Sequence, residues 1–357
     1  MIKTGKAYTY GLGKNGELGN NNRADREIVP FCVPKISGCV ACSAGCSFSL
    51  ILTGNGDVYT CGKSKCGRNG LVDTKVFTVI PALPKVKQIS AGYWHSLILD
   101  ENSLVWSTGY NAHGQLGLGH TNSQPSFTPT GTQALSINAG GHTSLAISPS
   151  GNLISCGQLS GHSNKPSQFH PLPTLLNVTY IDAGQVHSAC VSNNRLFTWG
   201  NNTWGQLGHS GKRSSEVPII VSALNDIDIV KVSCSKGEKN ASTGCVDRDG
   251  RVFMWGSGYK GKLGLDRSWT HEDPADRDLP EEIEGFRADE LELGGIHSSA
   301  LGGGRLFTWG CGSDGRIGHP EVEGHRYLYK EPLPRPIENT PPVSCISSSY
   351  YHNIFIA

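Results

Sequence analysis

No stretch of this 357-residue chain is apolar for long enough to span a bilayer, and no charged-then-apolar segment opens it as a secretion signal would. Apolar residues nowhere recur at i, i+3, i+4, i+7 over a long window, which excludes long amphipathic helices. Charge is scarce: 17% of residues are Asp, Glu, Lys or Arg, against a usual value of about 25%, and the formal net charge is +1. Such a chain offers no overall field to nucleic acid or to an anionic membrane. There is no Walker-type phosphate loop, since Gly13-Lys14-Asn15 and Gly62-Lys63-Ser64 both lack the glycine spacing that must precede the lysine. No catalytic serine, cysteine or paired-carboxylate constellation stands out, and no cofactor is implied. A soluble intracellular protein is the expectation, with cytosol and nucleus undistinguished.

Glycine is abundant, at 46 residues, and its placement is periodic. Seven short strand-like runs end in Gly11, Gly62, Gly109, Gly157, Gly200, Gly256 and Gly310, at spacings of 51, 47, 48, 43, 56 and 54. In six of them a second glycine follows five residues later, as in Leu196-Phe197-Thr198-Trp199-Gly200 leading to Gly205-Gln206-Leu207-Gly208. Upstream of each anchor lies a landmark such as Ala91-Gly92-Tyr93-Trp94-His95-Ser96 or Ala183-Gly184-Gln185-Val186-His187-Ser188. Two alternating apolar runs follow it, joined by a polar turn such as Asp247-Arg248-Asp249-Gly250, the signature of a β-hairpin. Prolines beside short apolar stretches, at Val29-Pro30 and Val217-Pro218, suit a strand start or an outer edge. A strand-rich period near fifty predicts a radial array of sheets, hence an all-β, seven-bladed propeller over residues 1–357. The chain opens on the second half of a hairpin, Thr4 to Gly11, and closes on a first half, His352 to Ala357. One blade is therefore expected to contain both termini, closing the ring and removing an open edge.

The Gly-x4-Gly-x-Leu-Gly element, the Ala-Gly-x-x-His-Ser element and the strand ending in Trp-Gly resemble the regulator of chromosome condensation repeat family, whose members are seven-bladed β-propellers. The absence of a Trp-Asp dipeptide sets the chain apart from WD-repeat arrays. The copies drift: Asn69 replaces the usual leucine, the repeat of Gly157 lacks its second glycine, Thr143 holds a histidine position, and the landmark before Gly256 is eroded to Ser233-Cys234-Ser235. The family's plant ultraviolet-B photoreceptors carry clustered Gly-Trp-Arg-His-Thr motifs. Only Tyr93-Trp94-His95-Ser96 approaches them here, without the arginine.

Histidines 95, 187, 297 and 352 recur at one repeat position, which favours a hydrogen bond to a neighbouring turn in each blade over a proton-transfer ring. Cys39, Cys42 and Cys46 have a spacing that a zinc site also uses, but they fall in a strand and its turn. Cys61 and Cys156 occupy the slot of Trp199, Trp255 and Trp309. Buried structural thiols and no metal are expected.

The most unusual segment runs from His271 to Glu292, with ten acids against Arg277 and Arg287, a balance of −8 that leaves +9 for the rest. The loops after Gly264 and Gly318 are the longest of their kind, in adjacent repeats and expected on one face. The second carries an aromatic and basic set typical of interface anchors. The candidate protein-binding residues are Trp269, Glu272, Asp273, Asp276, Glu281, Arg326, Tyr327 and Tyr329. The expected function is a noncatalytic interaction scaffold or regulator, acting as a monomer in a small-GTPase or ubiquitin pathway. The alternative is a guanine nucleotide exchange factor for a Ran-like GTPase, the founding activity of the family. Exchange members resemble one another in a wedge inserted after one anchor glycine, acidic residues in a landmark turn and a basic N-terminal tail, and none of these is evident here.

Overall fold

A computed structural model of the chain describes residues 4–158, 165–172, 175–266, 273–320 and 329–357. They form seven four-stranded antiparallel sheets around a central axis. Numbered by anchor glycine, blade 1 combines Cys345–Ser348, His352–Ile356, Ala7–Leu12 and Arg26–Cys32. Blades 2 to 7 occupy 39–79, 86–133, 136–171, 178–220, 229–287 and 290–336 in chain order. Blade 1 is closed as expected from the two half-hairpins: Ala7 pairs with Ile356 and Gly11 with His352, antiparallel. Pro30 and Pro218 lie on outermost strands, where a missing N–H costs no ladder bond. Helical structure among the described residues is limited to three-residue turns such as Lys65–Gly67 and Ser313–Gly315.

The apolar core is divided among the blade boundaries. Seven buried clusters occur, each shared by two neighbouring sheets; one joins Val246, Met254 and Ile283 of blade 6 to Leu291, Ala300 and Trp309 of blade 7. This follows from the alternation of the strands, since both faces of every sheet are covered by a neighbour.

The glycine pattern has a specific cause. The anchor glycine at the end of the third strand has a positive φ, +109° at Gly200, where an added Cβ would come within 2.7 Å of His187 Cα. The chain then makes a tight turn that reaches the next blade. At Gly315 (φ +77°) a Cβ would meet Glu27 O at 2.6 Å and Ile28 Cα at 2.7 Å, on the outermost strand of blade 1. The second glycine is thus the point where one blade clasps the edge of its neighbour. In Gly315→Ala, backbone strain and a backbone clash add together, whereas Gly131 (φ +77°) has nothing within 4 Å and suffers the strain alone. Thermal unfolding should show Gly315→Ala less stable than Gly131→Ala by about 1–3 kcal/mol; equal losses would contradict the clasp. Deleting residues 1–12 removes the strand Ala7–Leu12 and bares His352–Ile356, and should abolish a single cooperative melt.

Candidate functional site

The innermost-to-second-strand turns (the landmarks) and the third-to-outermost loops emerge at the same end of each blade, because the histidine position pairs with the anchor glycine: His95 with Gly109, His187 with Gly200, His297 with Gly310. One face of the ring therefore carries all the landmark turns and all the long loops. At its centre is the mouth of the axial channel, lined by Gly45, Gly92, Gly140 and Gly184 together with Tyr93, Gln185, Lys236 and Tyr350. Its cavity of ≈ 20 Å³ has room for about one water. Backbone bonds run from landmark to landmark around it, Tyr93 N to Gly140 O at 3.0 Å, Gly141 N to Gly184 O at 3.0 Å and Gln185 N to Ser235 O at 3.2 Å.

Beneath this rim the recurrent histidines are stitches between blades. His187 Nε2 lies 2.8 Å from Thr243 Oγ1 of the next blade, and that hydroxyl donates to Gln206 O at 2.6 Å. The same arrangement joins His95 to Ser144 (2.9 Å) and His352 to Ser49 (2.7 Å), while His297 meets Asn353 Oδ1 at 2.8 Å. Because the Thr243, Ser144 and Ser49 hydroxyls give their protons to carbonyls, and Asn353 Oδ1 can only accept, Nε2 donates in each pair. Burial pushes all four imidazoles down to about 3. They do not exchange protons near neutrality, which supports the structural role over the proton-transfer ring.

Around the channel mouth, aromatic rings cover cations. The guanidinium of Arg68 lies 5.0 Å from the centroid of Trp94, and Lys65 Nζ lies 5.7 Å from it. Tyr93 meets Trp94 edge-on at 5.0 Å. In blade 7 Arg316 sits 5.4 Å from the ring of Tyr351 in blade 1, which contacts Tyr350 at 4.5 Å. Both arginines are buried, and the four aromatic rings above them are partly exposed. Sequence reasoning missed these arginines. The signal was their common position immediately after the second glycine, where Lys262 also stands. Lys262 is fully buried, donates to Asn240 O and to Gly295 O (3.0 Å), and is pushed down to about 7 by burial.

The predicted binding residues fare differently. Trp269, Glu272, Arg326 and Tyr327 lie outside the described residues. Asp273 and Asp276, on the landmark face, accept backbone N–H bonds from Lys260 and Gly258 at 3.1 Å each. Glu281 lies on the outermost strand Arg277–Arg287 and pairs with Arg277 at 2.9 Å. Tyr329 is 7% exposed, and its hydroxyl donates to Glu331 at 2.6 Å. The acidic segment is not one loop. It leaves the landmark face, descends the outer edge, and returns through Glu290 and Glu292 on the innermost strand. There Glu290 pairs with Lys231 (3.0 Å), and burial, reinforced by Asp182, pushes Glu292 up to about 8. Cys39, Cys42 and Cys46 are spread along one strand and its turn, and no group of three metal-ligating side chains occurs among the described residues.

A pH dependence follows from the stitches. An unfolded histidine takes up its proton near 6.5 and the buried ones only near 3, so their contribution is whole above about 6.5 and is lost as pH falls toward 3. Tm should fall progressively on acidification through this window, and His297→Gln, which keeps a donor for Asn353, should shallow the slope by about one proton. A flat profile between pH 6.5 and 4.5 would contradict neutral buried histidines.

The family model described as regulator of chromosome condensation (RCC1) repeat matches residues 4–52, 102–147, 193–237, 249–301 and 303–356, and a second model of the same description matches 86–115. The E3 ubiquitin-protein ligase HERC2 of Homo sapiens is 32% identical over 295 residues, covering 76% of this chain and 6% of the ligase. The secretion-regulating guanine nucleotide exchange factor of Bos taurus is 28% identical over 362 residues, covering 87% of this chain and 75% of that protein. Among solved structures, Prp20p from Saccharomyces cerevisiae matches 99% of this chain and 92% of its own with a TM-score of 0.87 at 18% identity, a likeness of fold. With more than half its length matched by the repeat model, the chain belongs to the regulator of chromosome condensation repeat family.

Proposed function

We propose that the chain is a noncatalytic protein-binding propeller that holds a partner on its landmark face and regulates a small-GTPase or ubiquitin pathway. The observation that carries this is the patch around the channel mouth, where Tyr93, Trp94, Tyr350 and Tyr351 lie partly exposed over buried Arg68 and Arg316. Aromatic rings held in place by packing supply contact area at low entropic cost, and such residues dominate interface energetics. Ubiquitin-related regulation is suggested by the resemblance to the ubiquitin-protein ligase HERC2, of which this chain spans 6%.

A second reading is favoured by the match to the secretion-regulating exchange factor over most of both chains: nucleotide exchange on a Ran-like GTPase. Weighing against it, the six Gly-x4-Gly turns are uniform hydrogen-bonded clasps, as in Gly16 N to Gly13 O (3.0 Å) and Gly205 N to Asn202 O (3.1 Å), and none carries an inserted wedge. At substoichiometric amounts the protein should leave the release of fluorescent nucleotide from a Ran-like GTPase at its background rate. Catalysed release would instead establish the second reading. With a bound partner in hand, Trp94→Ala and Tyr350→Ala should each weaken binding by about 1–3 kcal/mol without shifting Tm appreciably. Unchanged affinity in both would move the binding surface off this face.

A further inference from the structure

Twelve cysteines are present in the chain, and most are single buried thiols. Two meet across a blade boundary. Cys42, on the innermost strand of blade 2, and Cys345, on the innermost strand of blade 1, bring their sulfurs to 3.6 Å although 303 residues separate them in sequence. The two strands are pinned beside the pair, since Ala44 N donates to Ser347 Oγ at 3.1 Å. Cys42 also contacts Ile354 O at 3.4 Å. Cys42 is buried, whereas Cys345 is partly exposed. Cys345 shares a side of its strand with Ser347, the intervening Ile346 packing into the apolar boundary. The charged neighbours of the pair are Glu290, Glu292 and Lys231 on the two innermost strands farther around the ring.

We propose that Cys42 and Cys345 form an oxidisable dithiol site, which a small hydroperoxide entering from the Cys345 side converts to a disulfide linking blade 1 to blade 2. The pair is chemically asymmetric. Burial pushes the Cys42 thiol up, and the hydrogen bond from Cys42 holds Cys345 below the usual thiol range, so Cys345 is the sulfur that attacks. In the first step its thiolate bonds to one peroxide oxygen, the O–O bond breaks, and hydroxide leaves with the electron pair, giving a sulfenic acid. In the second, Cys42 sulfur displaces the sulfenic oxygen, which departs as water after taking the Cys42 proton. In sum two thiols and one hydrogen peroxide give one disulfide and two waters. The sulfurs need to close from 3.6 Å to about 2.05 Å. No comparable partner serves Cys46, which lies beyond the opposite end of the strand, or Cys39, which is fully buried in the apolar boundary. A disulfide here would tie a position near the start of the chain to one near its end, so it restricts the unfolded chain over nearly its whole length.

The test treats the folded chain with hydrogen peroxide, blocks remaining thiols, and maps peptides without reduction. The proposal expects one new cross-link between the peptides of Cys42 and Cys345, reversed by dithiothreitol, with a rise in Tm of about 5 °C over the reduced chain. Cys345→Ser should eliminate both the cross-link and the rise. Cys42→Ala should leave Cys345 as a sulfenic acid that dimedone traps, a readout that a merely packing role for these thiols would not produce. The proposal is overturned if both thiols remain alkylatable when exposed Cys32 and Cys66 have been oxidised, or if Cys42 or Cys345 pairs with a different cysteine.

Discussion

In the repeats that have a second glycine, one backbone carbonyl, that of the residue following it, holds the blade to the next. Gln206 O receives both the Thr243 hydroxyl and the Trp255 indole N–H of the following blade, at 2.6 and 2.9 Å. Lys262 O receives Ser298 and Trp309 in the same way, at 2.8 and 2.9 Å. Where cysteine replaces tryptophan the thiol points to the same acceptor, Cys61 to Glu17 O at 3.3 Å and Cys156 to Gln115 O at 3.4 Å. A buried carbonyl with two lone pairs must be paired, and its donors are expensive to remove. The flanking glycines exist so that this carbonyl can reach the neighbouring sheet at all.

The histidines extend the same network. Three of the hydroxyls that bind this carbonyl are themselves held by an imidazole from the blade of that carbonyl: Ser49 by His352, Ser144 by His95 and Thr243 by His187. The boundary is thereby fixed by polar groups whose geometry tolerates little drift, while the apolar clusters supply most of the burial. A ring held so firmly leaves its landmark turns and long loops free to vary, because little of the fold depends on their side chains. That division explains how one architecture presents very different faces within a family, and why function has to be sought in the face rather than in the blades.

Much of this was legible in the sequence. The seven anchors, the closure of blade 1 and the shared slot of Cys61 with Trp255 all follow from spacing, because each is a strand position with a fixed register. The pairing of Trp94 with Arg68 was not legible, since the two are 26 residues apart in different blades and meet only when the ring is formed. Tyr329 illustrates the converse: its neighbours in sequence suggest an exposed anchor, yet it packs over Gly312, whose missing side chain makes its berth. The course of the acidic run was not legible for a similar reason. A net charge of −8 over His271 to Glu292 says nothing of how an edge strand and a channel-lining strand divide it.

The imidazole stitches are tested most directly by the ¹⁵N chemical shifts of the histidines in the folded chain, followed from pH 7 to pH 4.5. The account predicts that His95, His187, His297 and His352 stay neutral throughout with the proton on Nε2. A proton on Nδ1, or titration of these rings near 6.5, would contradict it.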